Sequence, residues 1–394
     1  MDKSKWEYKK LGELGNIITG GTPPTKDARN YSSDDYCFVK PSDLTDDRVL
    51  FLDDSEFHVS SYAYSNSRKL PKGSVLVCCI GSIGKLGILN MDATCNQQIN
   101  AIIPNSEIDS KYIAYSLLAS KGRLLGIANA PVVPIINKSQ FSNFEIKICP
   151  FIDQQRIVAE LDCLNEMIAV KQEQLKEFDK LAQSIFYDMF GDPVLNEKKW
   201  EITKFEDVCD SMTKGPFGSD IKKSLYVPKS ESAYKVYIQV NAIEKNVTLG
   251  DYYISKSYFE DKMFRFEVKP NDYIITCDGT LGKYVRLPHN IEKGIISASL
   301  LKLTLNDNIN FKYFEYIWDC YVLGLLIKDI RNTALKHLPS ASKIGKVYIP
   351  LPPLALQQQF ADKISAIEAQ KELVKQSIAE TQHILDYTMD KYFG

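Results

Sequence analysis

The sequence lacks long apolar runs, paired cysteines and a substantial net charge of either sign. Its strongest apolar run, 75–80, is far shorter than the roughly 20 residues that span a membrane. The first residues are polar and lack the apolar core of a secretion signal. The formal net charge is −2. None of the nine cysteines lies in a C-x-x-C pair, which disfavours structural zinc and a disulfide framework. We expect a cytoplasmic protein with reduced thiols and no membrane partner.

Catalytic motifs are also missing. Segment 81–85 resembles a Walker A loop but lacks its first glycine and its final Ser/Thr, and segment 279–283 lacks the same groups, so both predict tight glycine turns between strands. The Pro-Pro pairs and the acidic residues near Asp192 do not match methyltransferase or nuclease motifs. The four histidines share no ligand spacing, so the sequence predicts no catalytic residue and no metal site.

What the sequence does contain is a tandem repeat. Four pairs of motifs keep the same order in both halves: Trp6 with Trp200, segment 80–85 with 278–283, segment 150–155 with 353–358, and Phe190-Gly191 with Phe393-Gly394. The spacing between copies drifts from 194 to 203 residues, which indicates insertions between them. A repeat of this length is typical of a duplicated unit made of a globular domain and a helix.

The repeat predicts five segments of an α+β protein. They are a first globular domain at 1–150, a long helix at 151–192, a linker at 193–199, a second globular domain at 200–350 and a second long helix at 351–394. Apolar residues recur every three or four positions along both helices, interrupted by Lys171 in the first and by Lys371, Thr381 and Thr388 in the second. Two matched apolar seams favour an antiparallel coiled coil and a pseudo-two-fold repeat over two separately packed amphipathic helices.

Short apolar runs predict the elements of the globular domains. Strands are expected at 74–80, 101–104, 236–240, 273–276 and 300–303, and helices at 110–120 and 311–326. The long helices carry net charges of −3 and −2, which leaves +3 on the rest of the chain. A mildly basic pair of domains is compatible with DNA binding.

Several motifs carry a family resemblance over essentially the whole chain. They are Trp6 with segments 11–14 and 20–23, segment 38–44, segment 72–77 leading into 81–84, segment 214–219, and the Pro and Gln-Gln residues at both helix starts. In this order they resemble the specificity subunit of type I restriction–modification systems. The halves differ in places that would read different DNA: segment 38–44 against 238–242, and 96–98 against 296–298.

The resemblance implies that different subunits of a complex bind DNA and catalyse reactions on it. The domains at 1–150 and 200–350 would be target-recognition domains, each reading one half of a bipartite double-stranded DNA site. The helices would set the length of the unread gap. Two methyltransferase subunits would bind this chain, with restriction subunits added in the full complex. S-adenosylmethionine, ATP and magnesium would then be bound by those partners, and no cofactor by this chain.

Polar residues in the predicted loops are the candidate DNA contacts, because such side chains read base edges and bind phosphates. In the first domain they are Thr22, Thr25, Lys26, Lys40, Ser42, Asp43, Ser82, Lys85, Asn96, Gln97 and Gln98. In the second they are Lys214, Ser219, Lys222, Gln239, Asn241, Thr280, Lys283, Ser297, Arg331 and Lys336. For any single residue, a turn cap or a solvated side chain is an equally open interpretation.

Two other functions stay open at this point. A methyltransferase or nuclease that acts alone is opposed by the missing motifs. A coiled-coil scaffold without a DNA role has no evident need for two divergent, mildly basic domains.

Overall fold

The computed structural model describes residues 3–128, 133–328 and 337–394 of the chain. Contacts divide the chain into two compact units, Met1–Glu173 with Val374–Gly394, and Gln174–Leu373. Two helices of 40 residues, α6 (Phe151–Phe190) and α12 (Leu354–Phe393), each contribute one part to each unit. Unit 1 and unit 2 therefore each combine one globular domain with a part of both long helices. Within the described ranges, no helix is long and apolar enough to cross a membrane.

Short strands and helices alternate in unit 1. The strands are β1 (Glu7–Lys10), β2 (Gly15–Thr19), β3 (Tyr36–Val39), β4 (Phe51–Leu52), β5 (His58–Val59), β6 (Val75–Cys78), β7 (Leu86–Leu89), β8 (Ala93–Cys95), β9 (Ile99–Pro104) and β10 (Glu145–Ile148). The short helices are α1 (Leu11–Leu14), α2 (Ser61–Asn66), α3 (Ser110–Ala119), α4 (Lys121–Gly126) and α5 (Lys138–Ser142). The strands expected at 74–80 and 101–104 are β6 and the end of β9, and the expected helix at 110–120 is α3.

Two sheets and a strand pair build the first domain. The sheets have the orders β2-β9-β6-β7-β4 and β5-β3-β8, and β1 pairs with β10. Val75 and Val77 of β6 face one apolar core, while Leu76 and Cys78 face another. Because both faces of β6 are covered, its sequence is continuously apolar rather than alternating.

The same element types recur in unit 2. The strands are β11 (Glu201–Lys204), β12 (Cys209–Lys214), β13 (Tyr234–Tyr237), β14 (Tyr253–Ile254), β15 (Tyr273–Thr276), β16 (Tyr284–Arg286), β17 (Gly294–Ile296), β18 (Leu300–Leu305) and β19 (Tyr348–Leu351). The short helices are α7 (Gln239–Ile243), α8 (Lys256–Tyr258), α9 (Phe311–Ile317), α10 (Leu323–Lys328) and α11 (Ala341–Gly345), with a π-helical turn at Trp318–Val322 between α9 and α10.

The sheet orders confirm the repeat. In unit 2 they are β12-β18-β15-β16, β14-β13-β17 and β11-β19, which correspond strand for strand to β2-β9-β6-β7, β5-β3-β8 and β1-β10. One boundary differs from the sequence prediction. The strand expected over 236–240 ends at Tyr237, because the side chain of Asn241 accepts a hydrogen bond from the backbone N–H of Ile238 at 2.8 Å and turns the chain into α7.

Both units contain an antiparallel pair of long helices, as the matched seams predict. In unit 1, Lys171 Nζ donates to Thr381 Oγ1 at 2.8 Å, and the hydroxyl of Tyr392 donates to Glu160 at 2.5 Å. Later residues of α12 thus face earlier residues of α6. In unit 2, Lys371 forms an ion pair with Asp179. Both lysines that interrupt the seams therefore find partners on the facing helix.

A buried glutamine explains the repeated motif at the helix starts. Gln154 Oε1 accepts from the backbone N–H of Asp109 at 3.0 Å, and its Nε2 donates to the carbonyl of Cys149 at 2.9 Å. Gln357 makes the equivalent bonds to Asn310 and Pro352, at 2.7 and 2.8 Å. Each glutamine thereby ties the start of a long helix to the loop that precedes a helix of its domain.

Candidate nucleic-acid interface

Four loops meet at one edge of the first domain. Gly21 N–H donates to the carbonyl of Cys95 at 2.8 Å, which joins the loop after β2 to the loop after β8. Asn96 N–H donates to Val39 at 3.1 Å, and Cys79 N–H donates to Gln98 at 2.7 Å. These bonds bring in the loop after β3 and the β6–β7 hairpin. We call segments 20–26, 40–43, 81–85 and 96–98 the first loop surface, and it contains all eleven candidates from the first domain.

Glycine is required where the loops touch. A Cβ at Gly20 would lie 2.1 Å from the carbonyl oxygen of Asn96, which is closer than two non-bonded heavy atoms can approach. In the β6–β7 hairpin, Gly81 and Gly84 have φ values of 75° and 89°, a region that side chains disfavour. The glycine segment 81–85 therefore forms the tight turn that the sequence predicts.

The first loop surface presents a mixture of exposed and anchored polar side chains. Exposed members are Thr22, Thr25, Lys26, Ser42, Ser82 and Gln97, while Lys85 and Gln98 are half-buried. The hydroxyl of Thr22 donates to the side-chain oxygen of Gln97 at 2.7 Å, so these two exposed groups form one polar patch. Asn96 is buried, and its side chain bonds to both the backbone and the side chain of Gln98 at 3.0 Å. Asn96, which was expected to contact DNA, therefore lies beneath the surface and shapes the loop that presents Gln97.

Lys40 and Asp43 are held at the turn after β3. The two carboxylate oxygens of Asp43 accept from the backbone N–H groups of Lys40 at 2.8 Å and Glu56 at 3.1 Å. The ammonium of Lys40 lies 2.9 Å from the ring centroid of Phe57, a cation–π contact. Asp43 thus acts as a turn cap, and Lys40 holds a positive charge beside an exposed aromatic ring.

The second domain repeats this arrangement. Gly215 N–H donates to the carbonyl of Leu300 at 2.8 Å, as Gly20 N–H donates to the carbonyl of Ile99 at 2.9 Å in the first domain. Ser297 N–H donates to Tyr237 at 2.9 Å, and Cys277 N–H donates to Ser299 at 2.8 Å. We call segments 214–222, 238–241, 278–283 and 297–299 the second loop surface. It contains Lys214, Ser219, Lys222, Gln239, Asn241, Thr280, Lys283 and Ser297. The other two candidates, Arg331 and Lys336, lie outside the described residues.

Two candidates on the second loop surface need correction. Asn241 is fully buried, and its amide nitrogen donates to the carbonyls of Asn246 and Leu249 at 2.9 and 2.8 Å. With its oxygen bonded to Ile238 as well, this side chain is a turn cap and not an exposed DNA contact. The hydroxyl of Ser297 is also buried, and it has no hydrogen-bond partner among the described residues. Both side chains lie behind the surface they were expected to form.

The backbone bonds also correct how the two halves are matched. Asn96 and Ser297 make the same bond to the strand beside them, so segment 96–98 corresponds to 297–299, one residue later than the sequence comparison suggests. Asp43 and Asn241 cap equivalent turns. Segment 238–242 is therefore the counterpart of Lys-Pro-Ser-Asp-Leu at 40–44, although the two share no residue.

Sequence reasoning missed two residues at these surfaces. The guanidinium of Arg68 donates to the carbonyls of Thr19 and Gly20, at 2.5 and 3.4 Å, and holds the loop after β2. Nothing local signals this role, since Arg68 is 48 residues from Gly20. Phe217 is 78% exposed at the second loop surface. It lies inside the motif at 214–219 and could have been selected as an aromatic residue between Pro216 and Gly218.

Near the loop surfaces the carboxylates are ionised, whereas the buried thiols are protonated. A hydrogen bond from Lys121 lowers the pKa of Asp46, and one from Arg29 lowers the pKa of Asp27, so both carboxylates are ionised at neutral pH. Burial raises the pKa of Cys79, of Cys95 and of Cys277 to about 12. These three thiols therefore stay protonated near neutral pH and are poor nucleophiles. The loop surfaces offer hydrogen bonds and charge rather than thiolate chemistry.

Comparison with known proteins identifies the family. The family model described as "Type I restriction modification DNA specificity domain" matches residues 3–178 and again 197–383. The chain therefore belongs to this family and contains its DNA specificity domain twice.

Individual relatives agree with this assignment. The chain is 25% identical over 380 residues to the type I restriction enzyme MjaIX specificity subunit of Methanocaldococcus jannaschii, a match that covers 90% of this chain and 85% of the relative. A chain in a solved structure of a type I R-M system superposes with a TM-score of 0.66 at 17% identity, covering 99% of this chain and 97% of that one. The type I restriction–modification S subunit from M. genitalium superposes with a TM-score of 0.52 at 14% identity, covering 99% and 96%. These two structures share the fold of this chain.

Proposed function

We propose that this chain is the non-catalytic, sequence-reading subunit of a type I restriction–modification complex. Each loop surface reads one half of a bipartite double-stranded DNA target, and the paired long helices determine the length of the unread gap. The main support is that two equivalent backbone frameworks present different side chains. By the matched backbone bonds, Thr22 and Gln97 on the first surface correspond to Phe217 and Ala298 on the second, so the exposed polar pair has no like counterpart there.

The proposal extends to partners and cofactors. Two methyltransferase subunits bind this chain, and restriction subunits join them in the full complex. S-adenosylmethionine, ATP and magnesium are bound by those partners, and the chain acts as the element that positions them on DNA.

Exchange of one domain tests the reading of half-sites. Residues 200–350 are replaced by the corresponding domain of a relative with a different target, and methylated bases are mapped in cells that carry the matching methyltransferase. We expect one half of the methylated sequence to change and the other to stay the same. If both halves change together, the two domains do not read DNA independently.

A matched change in the helices tests the spacing role. Four residues are inserted after Glu173 and four after Leu373, so that the antiparallel pair lengthens by about 6 Å. We expect a longer gap between two unchanged half-sites. Insertion in one helix alone is the control, and it should impair complex formation because the two seams no longer match.

The purified chain tests the absence of catalysis. Supplied with S-adenosylmethionine, ATP, magnesium and target DNA, it should neither methylate nor cleave the DNA. Addition of the methyltransferase subunit should restore methylation. Turnover by the chain alone would show that it contains a catalytic site.

A further inference from the structure

Three metal-binding side chains meet beside the first loop surface. Cys37 in β3 and His58 in β5 are directly opposite each other in an antiparallel pair, and Asp54 lies in the loop that leads into β5. Cys37 Sγ is 3.5 Å from Asp54 Oδ1 and 3.7 Å from His58 Nε2, and that oxygen and nitrogen are 2.8 Å apart. All three potential ligand atoms thus lie within one coordination sphere.

These separations suit a tetrahedral zinc ion. Ligands at ordinary zinc distances place sulfur about 3.6 Å from both nitrogen and oxygen, and place nitrogen about 3.4 Å from oxygen. The two distances from Cys37 already match. The third requires Asp54 to move by about 0.6 Å, and this is readily accommodated because its side chain is 76% exposed. Thiolate, imidazole and carboxylate are also the ligand types that zinc takes in proteins.

The same geometry does not suit a catalytic triad. In such a relay, one imidazole nitrogen faces the nucleophile and the other faces the carboxylate. Here both Cys37 and Asp54 face the same nitrogen, Nε2 of His58. The sulfur, oxygen and nitrogen atoms therefore face one common point, as the ligands of a shared ion do.

In the second domain, a buried lysine side chain occupies the position that is equivalent to Cys37. Lys235 in β13 is paired with Tyr253 in β14, at the ladder position that Cys37 and His58 occupy in the first domain. The side chain of Lys235 is 1% exposed. Its ammonium donates to the carbonyl of Thr248 at 3.0 Å and lies 3.6 Å from the carboxylate of Glu292. A positive charge thus joins the strand pair to the loop before β14.

We propose that Cys37, Asp54 and His58 bind one zinc ion, with a fourth position open to water. The ion does in the first domain what the Lys235 ammonium does in the second: it ties the loop before the edge strand to the central strand. That loop includes Ser55, whose hydroxyl accepts from Phe38 N–H at 3.2 Å, and Phe57, which contacts Lys40. The zinc ion therefore stabilises the position of Lys40 on the first loop surface.

Metal titration of the full chain tests the proposal. The protein is treated with a chelator, reduced, and titrated with ZnCl₂ against a competing indicator. We expect one equivalent to bind tightly in the wild type, and Cys37→Ser and His58→Asn to weaken binding at least about 100-fold. Cys163→Ser and His383→Asn are matched controls, since both residues are exposed on the long helices, and they should bind zinc as the wild type does.

Cobalt substitution identifies the ligands directly. CoCl₂ should produce the visible bands of a tetrahedral site together with a thiolate-to-cobalt charge-transfer band that disappears in Cys37→Ser. Asp54→Asn removes a ligand from an exposed position, so it tests the site even if the strand variants misfold, and circular dichroism reports their folding. Equal zinc binding by the wild type, Cys37→Ser and Asp54→Asn, or a cobalt spectrum without the thiolate band, would overturn the proposal. The cluster would then be a hydrogen-bond network centred on Asp54.

Discussion

The two domains share a backbone framework, and they differ at buried positions as well as exposed ones. Both stack an aromatic pair, with ring centroids 3.8 Å apart, between the central strand and the helical segment that follows the edge strand: Tyr36 on Tyr64 in unit 1 and Tyr234 on Phe259 in unit 2. Beside these pairs, however, the second domain has a lysine where the first has a cysteine. The repeat therefore retains the backbone bonds, while the side chains around them vary with the local electrostatics.

The turn after the central strand shows the same difference. Asp43 caps it with two carboxylate oxygens that accept from backbone N–H groups. Asn241 accepts once and donates twice to carbonyls. The first turn therefore requires a hydrogen-bond acceptor, and it tolerates a charge because Asp43 is half-buried. The second turn also requires hydrogen-bond donors, and Asn241, which supplies them, is fully buried.

The loop contacts should give the largest effect. In Gly215→Ala the new Cβ would lie 1.9 Å from the carbonyl oxygen of Ser297, so the loop after β17 must move. We expect a loss of about 3 kcal/mol or more in the free energy of unfolding, measured in urea. Gly218→Ala is the control, because no atom of the described residues beyond its two chain neighbours lies within 4 Å of its Cβ position. Equal destabilisation by both variants would contradict the close contact.

Exchange of the two turn caps should give an asymmetric result. Asn241→Asp replaces the amide nitrogen, which donates to two carbonyls, with an oxygen that faces those carbonyls, and it also buries a charge. We expect the free energy of unfolding to fall by about 3 kcal/mol at neutral pH. Asp43→Asn keeps one acceptor and should cost about 1 kcal/mol. Urea unfolding of both variants measures the difference. Similar costs would mean that the turns do not discriminate donors from acceptors.

The buried glutamines should have the same effect in both units. Gln154→Leu and Gln357→Leu keep the side-chain volume but leave a backbone N–H and a carbonyl without their partner, at an expected cost of about 2 kcal/mol each. The exposed neighbours provide controls, since Gln155→Leu and Gln359→Leu should change stability by less than about 0.5 kcal/mol. Thermal and urea unfolding compare the four variants. A large loss in the control variants would shift the explanation from hydrogen bonds to helix packing.

The seam lysines should show the smallest effect and a difference in salt dependence. A double-mutant cycle on Lys171 and Thr381 should give a coupling of about 1 kcal/mol that persists in 1 M NaCl, because the hydroxyl is neutral and buried. The cycle on Lys371 and the exposed Asp179 should give about 0.5 kcal/mol at low salt and almost nothing in 1 M NaCl. Equal salt dependence in both cycles would contradict this distinction.

The sequence by itself determined the repeat, the long helices and the glycine turns. These features depend on residues close together in the chain, such as the spacing of apolar positions in α6 or the two glycines of segment 81–85. Its candidate contacts fell on loops that the strand order brings together. It did not distinguish exposed from buried loop residues, since Gln97 and Asn241 are equally polar.

Only the tertiary structure decided which side chains face solvent and which groups meet. Arg68 reaches Gly20, and Cys37 meets His58, through strand register and loop closure rather than through any local spacing. The spacing of residues in the sequence does not reveal the cluster of Cys37, Asp54 and His58, because its members come from two paired strands and a loop. The direction of the helix pair was likewise decided by contacts between distant residues, Lys171 with Thr381 and Asp179 with Lys371. Contacts of this kind depend on the free energy of packing the whole domain, which no short stretch of sequence contains.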